Sequence, residues 1–330
     1  MRGVDLERYP FDFDLTFTVL LMHPDGTIYH RYGGRDHQGA NVWLNQPSLV
    51  RLLGETVKEH EAYSASPDPP STRTPRAIEE VPAFAAKDKG ECIHCHSVFP
   101  ALREDLISRK SWNDADDIWV YPSPEQVGLR IGREDQTAVT GVEPGSAAHE
   151  AGVRSGDRLV SLGRQRLLTA SDLQWALQEL PPGETDAPLR WLRDGKTNEG
   201  ILSLAAGWKR GTPLTFSWRP LKWALLPAPG FGGQPLPDGE KQALGIAPGG
   251  FAFRVGYLVT WNEHRRFGEE AIRAGLRKGD VVTRVDGKTD FRSVDHFHAW
   301  WRLEKKPGEK VVLDIVRDGR RRTVEVEVLE

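Results

Sequence analysis

The feature that most restricts what this chain can fold into is that it repeats itself. Ala151-Gly152-Val153-Arg154-Ser155-Gly156-Asp157 recurs 123 residues later as Ala274-Gly275-Leu276-Arg277-Lys278-Gly279-Asp280. Leu192-Arg193-Asp194-Gly195-Lys196 recurs 124 residues later as Val316-Arg317-Asp318-Gly319-Arg320. Two separated anchors that keep register to one residue mark a duplicated domain, because the period far exceeds the ~20–50 residues of a solenoid. Each copy reads alike. A short helix ends at Ala-Gly, with the Gly as left-handed cap. Gly-Asp then leads into a strand, Arg158–Leu162 or Val281–Val285. A second helix follows, opening in the first copy at a capping box, Ser171-Asp172-Leu173-Gln174. A hairpin then turns at Asp-Gly.

The 330 residues suit two or three domains of ~100–200 residues each. A 38% hydrophobic and 28% charged composition excludes a wholly disordered chain, and a net charge of −3 gives no basic nucleic-acid footprint. No run reaches the ~18 apolar residues of a membrane helix; the longest, Leu15 to Met22, has strand length. Acidic residues interrupt Met1 to Pro10, so it does not read as a signal peptide. If the start is genuine, the expected location is the cytoplasm.

Ahead of the repeat, Phe13 to Met22 and Thr27 to Tyr32 read as strands joined at His23-Pro24-Asp25-Gly26 and stopped by Gly33-Gly34. Leu49, Leu52, Leu53 and Val57 place one apolar stripe on a helix from Ser48 to Tyr63. Prolines 67, 69, 70, 75 and 82 then break the pattern, which reads as a linker. The expected organisation is an N-terminal unit at 1–65, the linker at 66–86, a small Cys-His module at 87–122, the first repeat at 123–206, a Trp/Pro/Gly-rich connector at 207–240 and the second repeat at 241–330.

The chain's two cysteines lie in Cys92-Ile93-His94-Cys95-His96. C-x-x-C-H is the attachment signature of haem c: two thiols a turn apart reach the two vinyl groups, and the adjacent His96 becomes an axial ligand of the iron. The same residues also read as a redox dithiol, as a zinc site with His94 or His96 that lacks a second Cys pair, or as inert thiols. Haem c is the expected cofactor, ahead of zinc.

The duplicated unit resembles a PDZ domain of the bacterial, HtrA-like kind, most closely over Val142 to Asp157 and, in the second copy, from Ala271 onward. The resemblance implies that an extended peptide, often a protein C-terminus, adds to a sheet edge. By position the carboxylate-holding loop would be Gly128-Leu129-Arg130-Ile131 in the first copy and Leu244-Gly245-Ile246-Ala247 in the second. The groove would be bordered by Leu173, Ala176 and Leu177, or by Phe297, Trp300 and Trp301. Alternatively one or both grooves are filled internally, with Pro248 and the aromatic connector placed to block the second. No Gly-x-Ser-x-Gly elbow and no supported Ser/His/Asp set is found, so no catalytic residue is assigned.

The strand–turn–strand–helix start resembles the second half of a thioredoxin-like fold; it also reads as a free-standing ββα unit or as a sheet lent to its neighbour. With the Cys-His motif and two PDZ-like domains, the order resembles a bacterial family of thioredoxin/PDZ-domain (seleno)proteins. That resemblance implies a redox site in a first half-module upstream of Met1, hence a truncated reading of the gene past a selenocysteine codon, and a periplasmic location. The fold expectation is multidomain α+β: a partial thioredoxin-like unit, a C-x-x-C-H module and two PDZ-like β-sandwich or barrel domains. The functional expectation is a non-hydrolytic adaptor that binds protein C-termini beside a redox module. The alternatives are a haem c electron-transfer protein with PDZ tethers and a truncated thiol or seleno-oxidoreductase. Proteins or peptides are the expected partners, with no nucleic acid.

Overall fold

The computed structural model describes residues 1–63, 76–86, 90 and 92–330. Residues 66–75 of the expected linker, and 87–89 and 91 of the expected Cys-His module, lie outside them. The chain divides into two compact units, Met1–Gly211 and Thr212–Glu330.

In the first unit, β1 (Thr18–Met22) and β2 (Ile28–Gly33) form an antiparallel hairpin, followed by α1 (Gln46–Ala62). Asn45 caps α1 by accepting from the Ser48 N–H, with Pro47 in the first turn, where its missing N–H costs nothing. The first strand starts at Thr18 instead of Phe13, because Phe13 packs on a small core of Leu6, Ile78, Val81, Ile93, Val98 and Ala101. That core also corrects the linker expectation. Where it is described, the segment carries a 3-10 turn at Ile78–Glu80 and the short α2 (Pro82–Ala85), with Ile78 and Val81 fully buried beneath α3 (Val98–Ser108). Proline at the first turn of a helix starts it instead of breaking it.

The first repeat follows as β3 (Leu129–Ile131), β4 (Val139–Val142), α4 (Ala147–Glu150), β5 (Arg158–Leu162), β6 (Gln165–Arg166), α5 (Ala170–Glu179), β7 (Thr185–Arg193) and β8 (Lys196–Leu204). β3 pairs with β4, and the second sheet runs β6-β5-β7-β8. α5 opens at Thr169, two residues before the expected Ser171. Thr169 and Asp172 exchange the capping-box bonds, because Thr169 is the residue with extended backbone.

The second unit holds α6 (Pro213–Phe216), β9 (Phe231–Pro235), α7 (Asp238–Ala243), β10 (Phe253–Leu258), α8 (Arg265–Arg273), β11 (Val281–Val285), α9 (Val294–Glu304), β12 (Lys310–Arg317) and β13 (Arg320–Glu327). Its sheet runs β13-β12-β11-β10-β9, which leaves β9 at an edge. The rings of Phe231, Phe253, Phe297 and Trp301 meet in its core.

The two copies share a bonding pattern. Glu143 N–H donates to the Gly128 carbonyl, as Val259 does to Gly230; Val139 N–H donates to Asp157, as Val255 does to Asp280. Both hairpins turn through left-handed Asp-Gly pairs, Asp194-Gly195 and Asp318-Gly319. Among the described residues no helix is long and apolar enough to cross a membrane.

Candidate functional site

The shared bonding pattern fixes which residues of the two copies correspond. Gly128 matches Gly230, so the counterpart of Gly128-Leu129-Arg130-Ile131 is Gly230-Phe231-Gly232-Gly233. This corrects the expectation for the second copy. Leu244 and Ile246 pack beside a small cluster of Leu236, Ala252 and Val281, and Leu244 to Ala247 line a polar cavity with Arg284, Asp314 and Arg321. The cause is an insertion: seventeen residues separate β9 from β10, against seven between β3 and β4. Pro248 lies in that inserted loop, away from Gly230.

In the first copy, Gly128 sits at φ +85° and leads into β3, where Leu129 and Ile131 are buried and Arg130 is exposed. Leu173, Ala176 and Leu177 of α5 are buried in the same cluster as Leu129 and Ile131. That cluster also contains Trp43, only 6% exposed, from the segment between β2 and α1. Trp43 is held from several sides. Its carbonyl accepts from Gln136 Nε2 at 2.9 Å, and the Arg133 guanidinium stacks on its ring at 4.0 Å. Arg133 in turn pairs with Asp36 at 2.9 Å, and its carbonyl accepts from Asn45. Alongside, β2 lies on the outer face of α5. Ser171 Oγ donates to the Gly33 carbonyl at 2.7 Å, Arg31 N–H to Asp172 at 2.8 Å, and Arg31 stacks over Trp175. The N-terminal hairpin therefore packs on α5 of the first repeat, and Trp43 joins the buried core of that repeat.

Buried His30 joins the same contact, with Nδ1 2.8 Å from Asp172 and Nε2 2.9 Å from Glu59, which also pairs with Arg166. Burial disfavours a charged imidazole here, but the two carboxylates outweigh it and raise the His30 pKa above its ordinary value.

In the second copy, Phe297 and Trp301 are fully buried in the core, whereas Trp300 faces a different cavity with Phe291, His296 and Glu304. The α9 side chains that line the cavity at the start of β9 are His298 and Arg302, which sequence reasoning missed. His298 Nε2 donates to the Phe231 carbonyl at 2.9 Å. Burial and nearby Arg302 push the His298 pKa down to about 3, so the ring is neutral and its proton stays on Nε2. Burial also lowers the Arg302 guanidinium to about 10. Both line a cavity of about 370 Å³ with Trp223, Pro229, Gly230, Tyr257, Trp261 and Phe267. Gly230 is required there: at φ +73°, an added Cβ would fall 2.2 Å from the Phe267 carbonyl carbon. The connector packs along α9 and supplies Trp223 as one wall.

Of the Cys-His motif, Cys92 is exposed and Cys95 half-buried, with its thiol donating to the Leu15 carbonyl at 2.8 Å. Burial raises the Cys95 pKa, the reverse of an activated dithiol. His94 and His96 stack on each other at 5.5 Å. Among the described residues no group of three His, Cys, Asp or Glu side chains is placed to hold a metal ion.

Comparison with known proteins gives a PDZ domain match at residues 138–185 and another at 267–328. The chain contains two PDZ domains. It is 45% identical over 58 residues to a probable periplasmic serine endoprotease DegP-like of Pseudomonas fulva, a stretch covering 18% of this chain and 12% of that protein. It is 28% identical over 148 residues to the periplasmic pH-dependent serine endoprotease DegQ of Escherichia coli, covering 45% of this chain and 28% of that protein. The chain thus spans a minor part of the length of these curated relatives. Similar solved structures include an HtrA-type protease AlgW with tripeptide, at 21% identity and TM-score 0.24, covering 30% of each chain. Another is the same protease with a decapeptide, at 13% identity and TM-score 0.26, covering 52% of this chain and 54% of that one.

These relatives overturn the functional expectation. They are serine endoproteases, and neither a non-hydrolytic adaptor tied to a redox module, nor haem c electron transfer, nor a truncated thiol or seleno-oxidoreductase accords with them. Of that resemblance, the comparisons support two PDZ domains with similarity to the HtrA/DegQ kind.

Proposed function

We propose that the chain is a protease-like PDZ protein of the HtrA type that takes part in periplasmic serine endoproteolysis, and that its second PDZ domain is where polypeptide is recognised. The relatives supply the setting, since both are named as periplasmic serine endoproteases. The observation that carries the assignment to the second domain is the contrast between the grooves. Trp43 is buried in the core cluster that also holds Leu129 of β3 and Leu173 of α5, whereas the edge strand β9 begins at an open cavity flanked by the half-exposed rings of Trp223 and Trp261. An unpaired strand edge beside an apolar cavity is the arrangement that takes up an extended peptide.

The test is hydrogen exchange on the full chain with and without β-casein, an unfolded protease substrate. Slowed exchange at β9 and α9, with β3 and α5 unchanged, is expected. Protection confined to the first unit, or none, overturns the assignment.

A further inference from the structure

The insertion between β9 and β10 roofs a cavity on the face of the second repeat's sheet that is turned away from its core. Leu313 and Ile315 of β12 and Val324 of β13 are buried in the core. Asp314, Val316, Arg321 and Thr323 alternate with them and so lie on the other face. The register sets Asp314 beside Thr323 and Val316 beside Arg321. The roof is held to the sheet at two points. Leu244 and Ile246 pack on the cluster that includes Val281 and Val316, and Glu240 of α7 pairs with Arg254 of β10. The space enclosed is about 760 Å³, within the ~300–1,000 Å³ of ligand pockets. The first repeat spans the corresponding place with seven residues.

The charge in this cavity is unbalanced. Arg284, Arg321 and Arg322 line it, and Asp314 is the one lining carboxylate among the described residues. Asp314 is already engaged: Oδ2 lies 3.5 Å from Arg284 Nε, and Oδ1 accepts from Thr323 Oγ1 at 3.4 Å. Among the described residues no carboxylate pairs with Arg321 or Arg322. An arginine on an open surface needs no partner, because water screens it. Three that converge on one walled space repel one another and focus their field there. The surplus of two positive charges matches a phosphate monoester, which carries about −1.5 to −2 at pH 7, and a monocarboxylate meets only half of it. Guanidinium forks also fit phosphate oxygens in bidentate pairs. The cavity is larger than an inorganic phosphate ion needs, and Thr283, Thr289 and the main chain of Gly245 and Gly250 give its remaining walls hydrogen-bonding groups.

We propose that this cavity binds a phosphate monoester carried on a hydroxyl-rich body, such as a phosphorylated sugar ring. Arg321 and Arg322 hold the phosphate, Arg284 bridges it to Asp314, and the threonine hydroxyls meet the ring. The site lies on the far side of the sheet from the core and from α9, and it stands independently of the polypeptide reading given above.

The test uses the full chain and follows the backbone amide signals of Gly245, Gly250 and Thr289 by NMR. The probe is glucose 6-phosphate. Glucose, glucuronate and inorganic phosphate serve as controls that lack the charge, the second charge and the ring in turn. Saturable shifts with glucose 6-phosphate are expected, with each control binding at least about tenfold more weakly. Combining Arg321→Gln with Arg322→Gln should weaken glucose 6-phosphate by a similar factor. Arg320→Gln, next along β13 but outside the lining, should leave it unchanged. No saturable shift, a control that binds as tightly, or an equal loss from Arg320→Gln overturns the proposal. Should the double variant not fold, the comparison of probes on the unaltered chain decides. A second arm separates a free sugar phosphate from a lipid headgroup, using phosphatidylcholine vesicles with and without phosphatidylinositol 4-phosphate. Binding to glucose 6-phosphate alone assigns the soluble source, and binding to both assigns the headgroup. Binding to the vesicles without glucose 6-phosphate reflects surface charge and overturns the proposal.

Discussion

Arg317 holds Asp280 through Nε and Nη2, each at 2.6 Å, and the side chain of Asp280 is almost completely buried. Arg193 holds Asp157 in the same way at 2.7 Å. These are the two anchors of the sequence repeat. In each copy the Arg also donates to the glycine that ends the preceding helix, Gly275 or Gly152, and the Asp accepts from a backbone N–H of its own turn. One bidentate pair thus ties the helix end, the Gly-Asp turn and the last hairpin together. Removing one partner strands the other. Asp280→Ala should lower the stability of the second unit by about 3 kcal/mol. Urea unfolding followed by hydrogen exchange at β11 and β12 measures this, and Arg317→Ala added to Asp280→Ala should cost much less than the sum of the two.

The ion pairs explain why the duplication was legible: each copy needs the same two short motifs to make one contact. The hairpin turns were legible for a similar reason, since Asp-Gly is a local signal; the apolar stripe located α1 but misread its buried face, which is Ser48, Leu52 and Thr56, with Leu53 and Val57 exposed. What could not be read was anything dependent on distance along the chain. The loop of the second groove was misplaced because the insertion between β9 and β10 shifts every position counted back from the Gly-Asp anchor. His298 and Arg302 sit in an amphipathic helix whose aromatic stripe signals the core more strongly than the site. Trp43, in a Gly- and Asn-rich stretch without periodicity, carries no sign of the domain it enters.

Trp43→Ala removes the large aromatic side chain that the N-terminal segment contributes to the core cluster of the first repeat. A cost of about 3–5 kcal/mol to the first unit is expected from the lost burial and the cavity left behind. The variant should also uncover the first groove, so that the number of β-casein segments or apolar decapeptides bound per chain rises from one to two by calorimetry. Trp43→Phe should keep most of the burial and the stoichiometry of one.

The two thiols should behave differently. Cys92 is exposed, whereas the half-buried Cys95 donates to Leu15 and has its pKa raised by burial. Because the thiolate is the reactive species, iodoacetamide at pH 8 should modify Cys92 severalfold faster than Cys95. Peptide mapping by mass spectrometry over a time course reads both rates, and equal rates would contradict the half-buried placement.

The two units should respond to pH in opposite directions, each through one histidine. His30 has a raised pKa because Asp172 on α5 and Glu59 on α1 outweigh its burial, with Arg166 on β6 paired to the same Glu59. The folded first unit therefore binds this proton more tightly than the unfolded chain does. The stabilisation is fully present below the ordinary imidazole value of ~6.5 and is lost as pH rises through the folded value. His298 is the reverse: burial first, then Arg302 and Lys222, depress it to about 3, so only the unfolded chain takes up a proton as pH falls below ~6.5. The second unit should accordingly weaken on acidification, while the first weakens toward alkaline pH. Hydrogen exchange between pH 5 and 8, corrected for intrinsic rates, should show opening free energies at β2 and α5 falling with pH and those at β9 and α9 rising. His30→Gln should flatten the first slope and leave the second, since its amide retains hydrogen bonding but carries no titrating proton.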